Sequence, residues 1–65
     1  MAGAIYRQLI RILRENGCRF VRHGKGSHEI WYSLISRQHF VVPFDVQKRP
    51  TANAALTQVG LPKAF

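Results

Sequence analysis

Acidic residues are scarce in this chain of 65, where three Asp and Glu stand against ten Lys and Arg for a formal charge of +7. That imbalance points to polyanionic partners, either nucleic acid or an acidic protein. The carboxylates Glu15, Glu29 and Asp45 are scattered in sequence, with no cluster of the kind that holds a divalent cation. Cys18 is the only cysteine, which excludes an intrachain disulfide and a thiolate site for zinc. No run approaches the roughly 18–20 apolar residues of a membrane span, and the N-terminus lacks an apolar signal core, so the expected address is the cytoplasm. So short a chain buries only about 60% of its unfolded surface, which predicts a small core, a shallow site and no room to wrap an organic cofactor. Neither a cofactor nor a metal is expected.

Aromatic residues, by contrast, are present in number. Four Phe, two Tyr and one Trp within a 46% hydrophobic composition are too many for a disordered basic tail, and the chain should fold. With no internal repeat, low-complexity tract or linker, residues 1–65 read as one domain.

Ile5, Leu9, Ile12 and Leu13 form one stripe of helical period between Ala4 and Asn16, and Asn16-Gly17 supplies a stop. On another part of that helix surface Arg7, Arg11 and Arg14 make a row suited to phosphate, or to solvent as a plain hydrated face. Cys18 to His23 is a short β-leaning run that ends in a glycine-rich turn. Glu29–Leu34 and Phe40–Phe44 read as two more strands, joined through Ser36, Arg37 and Gln38. Thr51 has the character of an N-cap for a second helix through Ala52, Ala55, Leu56 and Val59, closed by Gly60-Leu61-Pro62. Helix, three strands, helix predicts an α+β fold like a double-stranded-RNA-binding domain, an antiparallel three-stranded sheet with two helices on one face. In so small a domain Trp31, Tyr32, Phe40 and Phe44 are expected mainly as core, with base stacking as the competing use.

The densest constellation is His23-Gly24-Lys25-Gly26-Ser27-His28. Glycines let a turn approach an anion and offer it N–H groups, and Lys25 adds a point charge. His28 opens the second strand. Histidine is the side-chain type that exchanges protons nearest neutral pH, so at this place it suits general acid–base cleavage of a phosphodiester, with the 2′-OH of RNA as nucleophile and no metal required. A surface histidine without a role fits the same pattern. Asp45, expected near the residue opposite His28, His23 and His39 are the alternatives for a second proton-transfer or orienting group. Lys48 and Arg49, just before the second helix, form another candidate phosphate contact beside a helix N-terminus.

The series Ile5-Tyr6-Arg7-Gln8-Leu9-Ile10, Glu15-Asn16-Gly17, Gly26-Ser27-His28 with Trp31, Val42-Pro43 and Gln58-Val59-Gly60-Leu61 resembles the HicA family of small toxins over essentially the whole chain. The resemblance implies a double-stranded-RNA-binding-domain-like fold, a translation-independent mRNA endonuclease activity, and a HicB antitoxin that covers the active site. It places the family's catalytic histidine on His28, presented by Gly26 and Ser27. Many relatives carry a histidine two residues after Val-Pro and then a Gly-Lys pair; this chain has Asp45 and Val46-Gln47-Lys48 there, and its 48–53 stretch is shorter than the usual loop. The expected activity is therefore a metal-independent ribonuclease toxin with Lys25, Gly26, Ser27, Arg7, Arg11, Lys48 and Arg49 as RNA contacts. The alternatives are a non-catalytic RNA-binding module and, from the basic first helix, a peripheral membrane protein.

Overall fold

The computed structural model describes residues 2–65. Its elements are α1 (Ala4–Glu15), β1 (Cys18–His23), β2 (His28–Ser33), β3 (Gln38–Pro43) and α2 (Arg49–Gln58). The strands form one antiparallel sheet in the order β1-β2-β3. α1 packs over β1, α2 over β3, and the helices touch each other, so both cover the same face of the sheet. The expected α+β architecture is the observed one.

Strand alternation decides what reaches the core. On β2, Glu29, Trp31 and Ser33 point toward the helices and are buried, while His28, Ile30 and Tyr32 turn to the open face. The core gathers Tyr6, Leu9 and Leu13 from α1, Trp31, Phe40 and Val42 from the sheet, and Ala52, Ala55 and Leu56 from α2. Leu9 and Leu13 bury fully as the periodicity predicts, but Tyr6 takes the place expected for Ile5 and Ile12, which lie on the helix flank and are only partly buried. The aromatic expectation divides. Trp31 and Phe40 are core; Tyr32 is half-buried on the open face, and Phe44 lies beyond the end of β3, 48% exposed, its ring edge-on to Tyr6.

Two boundaries differ from the sequence reading. The β2–β3 connection is Leu34–Arg37, and Gln38 already pairs with Ser33. Arg37 adopts a left-handed φ of 57° and its N–H returns to the Ser33 carbonyl at 2.8 Å, which closes a turn one residue earlier than expected. Thr51 is not the cap of α2: Lys48 is, without a side-chain cap bond, because Pro50 fits the first helical turn and lets the helix start upstream. The C-terminal residues dock: the Asn53 side chain accepts the N–H groups of Ala64 and Phe65 at 3.2 and 3.1 Å and donates to the Phe65 carbonyl at 3.0 Å.

Candidate active site

The turn between β1 and β2 is tied by backbone bonds at its base. Gly24 N–H donates to the His28 carbonyl at 2.8 Å, and His28 N–H donates to the Lys25 carbonyl at 3.2 Å. Gly26 sits at φ +62°, a conformation that side-chain-bearing residues adopt at a cost. Gly24 is closely packed instead: a Cβ there would lie 3.2 Å from Ile30 Cδ1, which would have to give by a few tenths of an ångström. Across the hairpin His28 pairs with Pro43, which has no N–H, and the ladder resumes where Phe44 N–H donates to the Ser27 carbonyl at 2.7 Å. The backbone of His28 is thus held on both sides while its imidazole stands exposed on the open face. Among the described residues, the amides of Lys25, Gly26 and Ser27 make no backbone hydrogen bond, so the turn tip offers free donors beside the Lys25 side chain.

Directly behind His28, on the helix side, Glu29 is 4% exposed and fully engaged. Tyr6 O–H lies 2.8 and 2.7 Å from its two oxygens, and Trp31 Nε1–H donates to Oε1 at 3.0 Å. Burial, then the hydrogen bond and the charge of Glu29, push the Tyr6 phenol well above its usual range. Sequence reasoning missed this network. The signal was the strand parity itself: if His28 faces out, Glu29 faces in, and a carboxyl group inside a core needs donors.

Asp45 does not face His28. Pro43 stands opposite, two residues earlier, because of the shifted turn. The Asp45 carboxylate instead accepts the N–H of Gly3 at 2.6 Å, the N-cap position of α1. His23 pairs with Glu29 and packs edge-on to Phe20 at 5.2 Å; His39 pairs with Tyr32, ring centroids 4.9 Å apart. Among the described residues, no side chain hydrogen-bonds the His28 imidazole, and no group of three His, Cys, Asp or Glu that could hold a metal ion comes together. Burial raises the Cys18 thiol above its ordinary range, which leaves a packing residue rather than a nucleophile.

The sequence matches, over residues 6–61, the family described as the HicA toxin of bacterial toxin–antitoxin systems. The chain belongs to the HicA toxin family. Among curated proteins and solved structures, none matches significantly. In this HicA toxin the candidate cations fall into separate groups. Lys25 stands in the turn that presents His28. Lys48 caps α2 and Arg49 begins it, after a connection that leaves β3 at the end of the sheet where His28 pairs with Pro43. The start of α1 is drawn to the same end by the Asp45–Gly3 bond. Arg7 and Arg11 are exposed and line a shallow depression on α1 with Ala4 and Gln8. Arg14 leaves the row to lie over the Trp31 ring, 5.5 Å from its centroid.

Proposed function

We propose that this HicA toxin is a metal-independent endoribonuclease that cleaves mRNA, with His28 as its general acid or base. The observation that carries the reading is the side chain of His28, exposed on a strand whose backbone is tied on both sides, next to a turn with free amides and Lys25. A base at this position takes the proton of a ribose 2′-OH. The oxygen attacks the adjacent phosphorus, the bond to the 5′-oxygen breaks, and that oxygen is protonated as it leaves. Products are a 2′,3′-cyclic phosphate and a 5′-hydroxyl. Lys25 and the amides of the Gly26-Ser27 turn stabilise charge on the phosphoryl oxygens. Lys48 and Arg49 at the start of α2, and Arg7 and Arg11 on α1, bind flanking phosphates. In this reading residues 1–65 act as one toxin domain in the cytoplasm, and a HicB-like antitoxin of opposite charge neutralises it by covering the His28 end.

One observation favours a second reading, a HicA homologue that binds RNA without cleaving it. Among the described residues no other side chain hydrogen-bonds the His28 imidazole, so none of them stands ready as the partner for the second proton transfer. Turnover separates the two. Wild-type protein should cleave a long single-stranded RNA in the presence of EDTA and leave cyclic phosphate ends, and His28→Ala should not, at unchanged stability because the side chain is exposed. Equal cleavage by that variant removes His28 from the mechanism; RNA bound but left intact by folded wild type establishes the binding module.

A further inference from the structure

We propose that the open face of the sheet seats an unpaired RNA strand, with Tyr32 stacking one base and Arg19 and Arg22 holding its phosphates. The proposal rests on the RNA-directed function above and names where the substrate lies. Across the three strands Arg19, Tyr32 and His39 form one row, the next outward-facing row is Arg22, Ile30 and Val41, and His28 follows beside Pro43. The Arg19 guanidinium carbon is 5.6 Å from the Tyr32 ring centroid and the His39 ring meets the tyrosine edge at 4.9 Å. Every acidic side chain is elsewhere: Glu29 is buried behind the sheet, Asp45 caps α1, and Glu15 ends α1 on the helix layer. The face therefore carries cations and rings with no acidic side chain to repel a phosphate.

An unpaired strand is the occupant that fits. A-form duplex keeps its bases stacked inward, whereas a sheet face with an aromatic ring takes splayed bases, about two or three across one module. Tyr32 lies four residues from His28 on the same strand and the same face, about 13 Å away, so a chain stacked at Tyr32 can extend to the catalytic side chain. The centre of a protein interface is depleted of charged residues, and here Ile30, Val41 and the exposed Val21 at the β1 bulge stand beside Arg19 and Arg22. On binding, a base takes the ring face and the Arg19 guanidinium moves to the neighbouring phosphate.

The test uses the full chain carrying His28→Ala, with fluorescein-labelled oligo(U) as probe and its duplex with oligo(A) as competitor. Tyr32→Thr, which keeps a strand-forming residue, should weaken binding about tenfold, and Tyr32→Phe should stay within about twofold. Arg19→Gln should lower the slope of log affinity against log salt by about one, and Tyr32→Thr should leave that slope alone. The duplex should compete poorly. Unchanged affinity of a folded Tyr32→Thr protein overturns the proposal, even if the His28-intact enzyme cleaves RNA normally. Loss of oligo(U) binding in Tyr32→Thr supports it, even if wild type never cleaves. Equal binding of the duplex, or a Tyr32→Thr variant that loses only its antitoxin, overturns it in favour of shape recognition or a protein interface.

Discussion

The closest coupling of stability to the candidate site runs through a single carboxyl group. Glu29 follows His28 in sequence and is held from the helix layer by Tyr6 and within its own strand by Trp31. Removing the phenol strands one side of a buried acceptor, so Tyr6→Phe should lower stability by about 2 kcal/mol, read by urea denaturation. A pH signature goes with the raised phenol, which burial produces first and the bond and charge of Glu29 second. The folded-state phenol is raised above its ordinary value, so its contribution is fully present below about pH 10 and is lost as pH climbs beyond that, where the unfolded chain gives up a proton the folded chain retains. Wild-type stability should fall more steeply than that of Tyr6→Phe across this alkaline range. Parallel curves would mean that the folded-state phenol is not raised above its ordinary range. At this scale the sequence made the place of His28 legible, exposed at the start of β2, because a Gly-Ser-His step after a glycine turn is a local pattern. Glu29 was not legible: its partner Tyr6 is 23 residues away, and nothing local says which strand face meets which helix position. Asp45 was misplaced by a register error of two residues, which kept its parity but removed it from the partner position of His28.

Elements were easier to read than their junctions. β1 spans Cys18–His23 as its β-leaning run predicts, and α1 ends within a residue of the Asn16-Gly17 stop. The start of α2 was harder, because Thr51 has the chemistry of a cap while Pro50 has the geometry of a first turn, and the geometry prevailed. Two junctions carry predictions. Gly26 sits at φ +62° and a methyl group added there would meet no atom within 4 Å, so Gly26→Ala brings backbone strain and no clash. It should cost about 1 kcal/mol in thermal or urea unfolding, and Gly26→Asn distinctly less because Asn tolerates the left-handed region. Identical stabilities for Gly and Ala there would mean the turn relaxes out of that conformation. At the other junction the Asp45 carboxylate caps α1 from outside the helix, where Gly3 has no side chain to do so. Asp45→Ala should cost about 1 kcal/mol, and Asp45→Asn less, since the amide oxygen keeps the bond and gives up only the charge favoured at a helix N-terminus. An Asp45→Ala protein as stable as wild type would leave α1 without need of this cap.

At the scale of the whole molecule the net charge of +7 acts on two properties in opposite directions. Two of the three acids accept from neutral donors, Glu29 from Tyr6 and Trp31 and Asp45 from a backbone amide, so these hydrogen bonds tie neither of them to one of the ten Lys and Arg side chains. Folding concentrates these cations on a body only 28 × 25 × 16 Å in extent, and their mutual repulsion opposes the compact state. Salt shortens the range of that repulsion to about 10 Å at 0.1 M, so the melting temperature should rise as salt is added from low concentration toward that value. Affinity for single-stranded RNA should fall over the same range, because each phosphate contact made by a cation releases a bound counterion. An acidic antitoxin should raise the melting temperature further than salt does, since it binds the folded toxin while neutralising the same charges. Calorimetry and fluorescence anisotropy over one salt series measure both trends. A melting temperature indifferent to salt, alongside RNA affinity that falls steeply, would mean the cations are spaced widely enough to bind phosphate without opposing one another in the free protein.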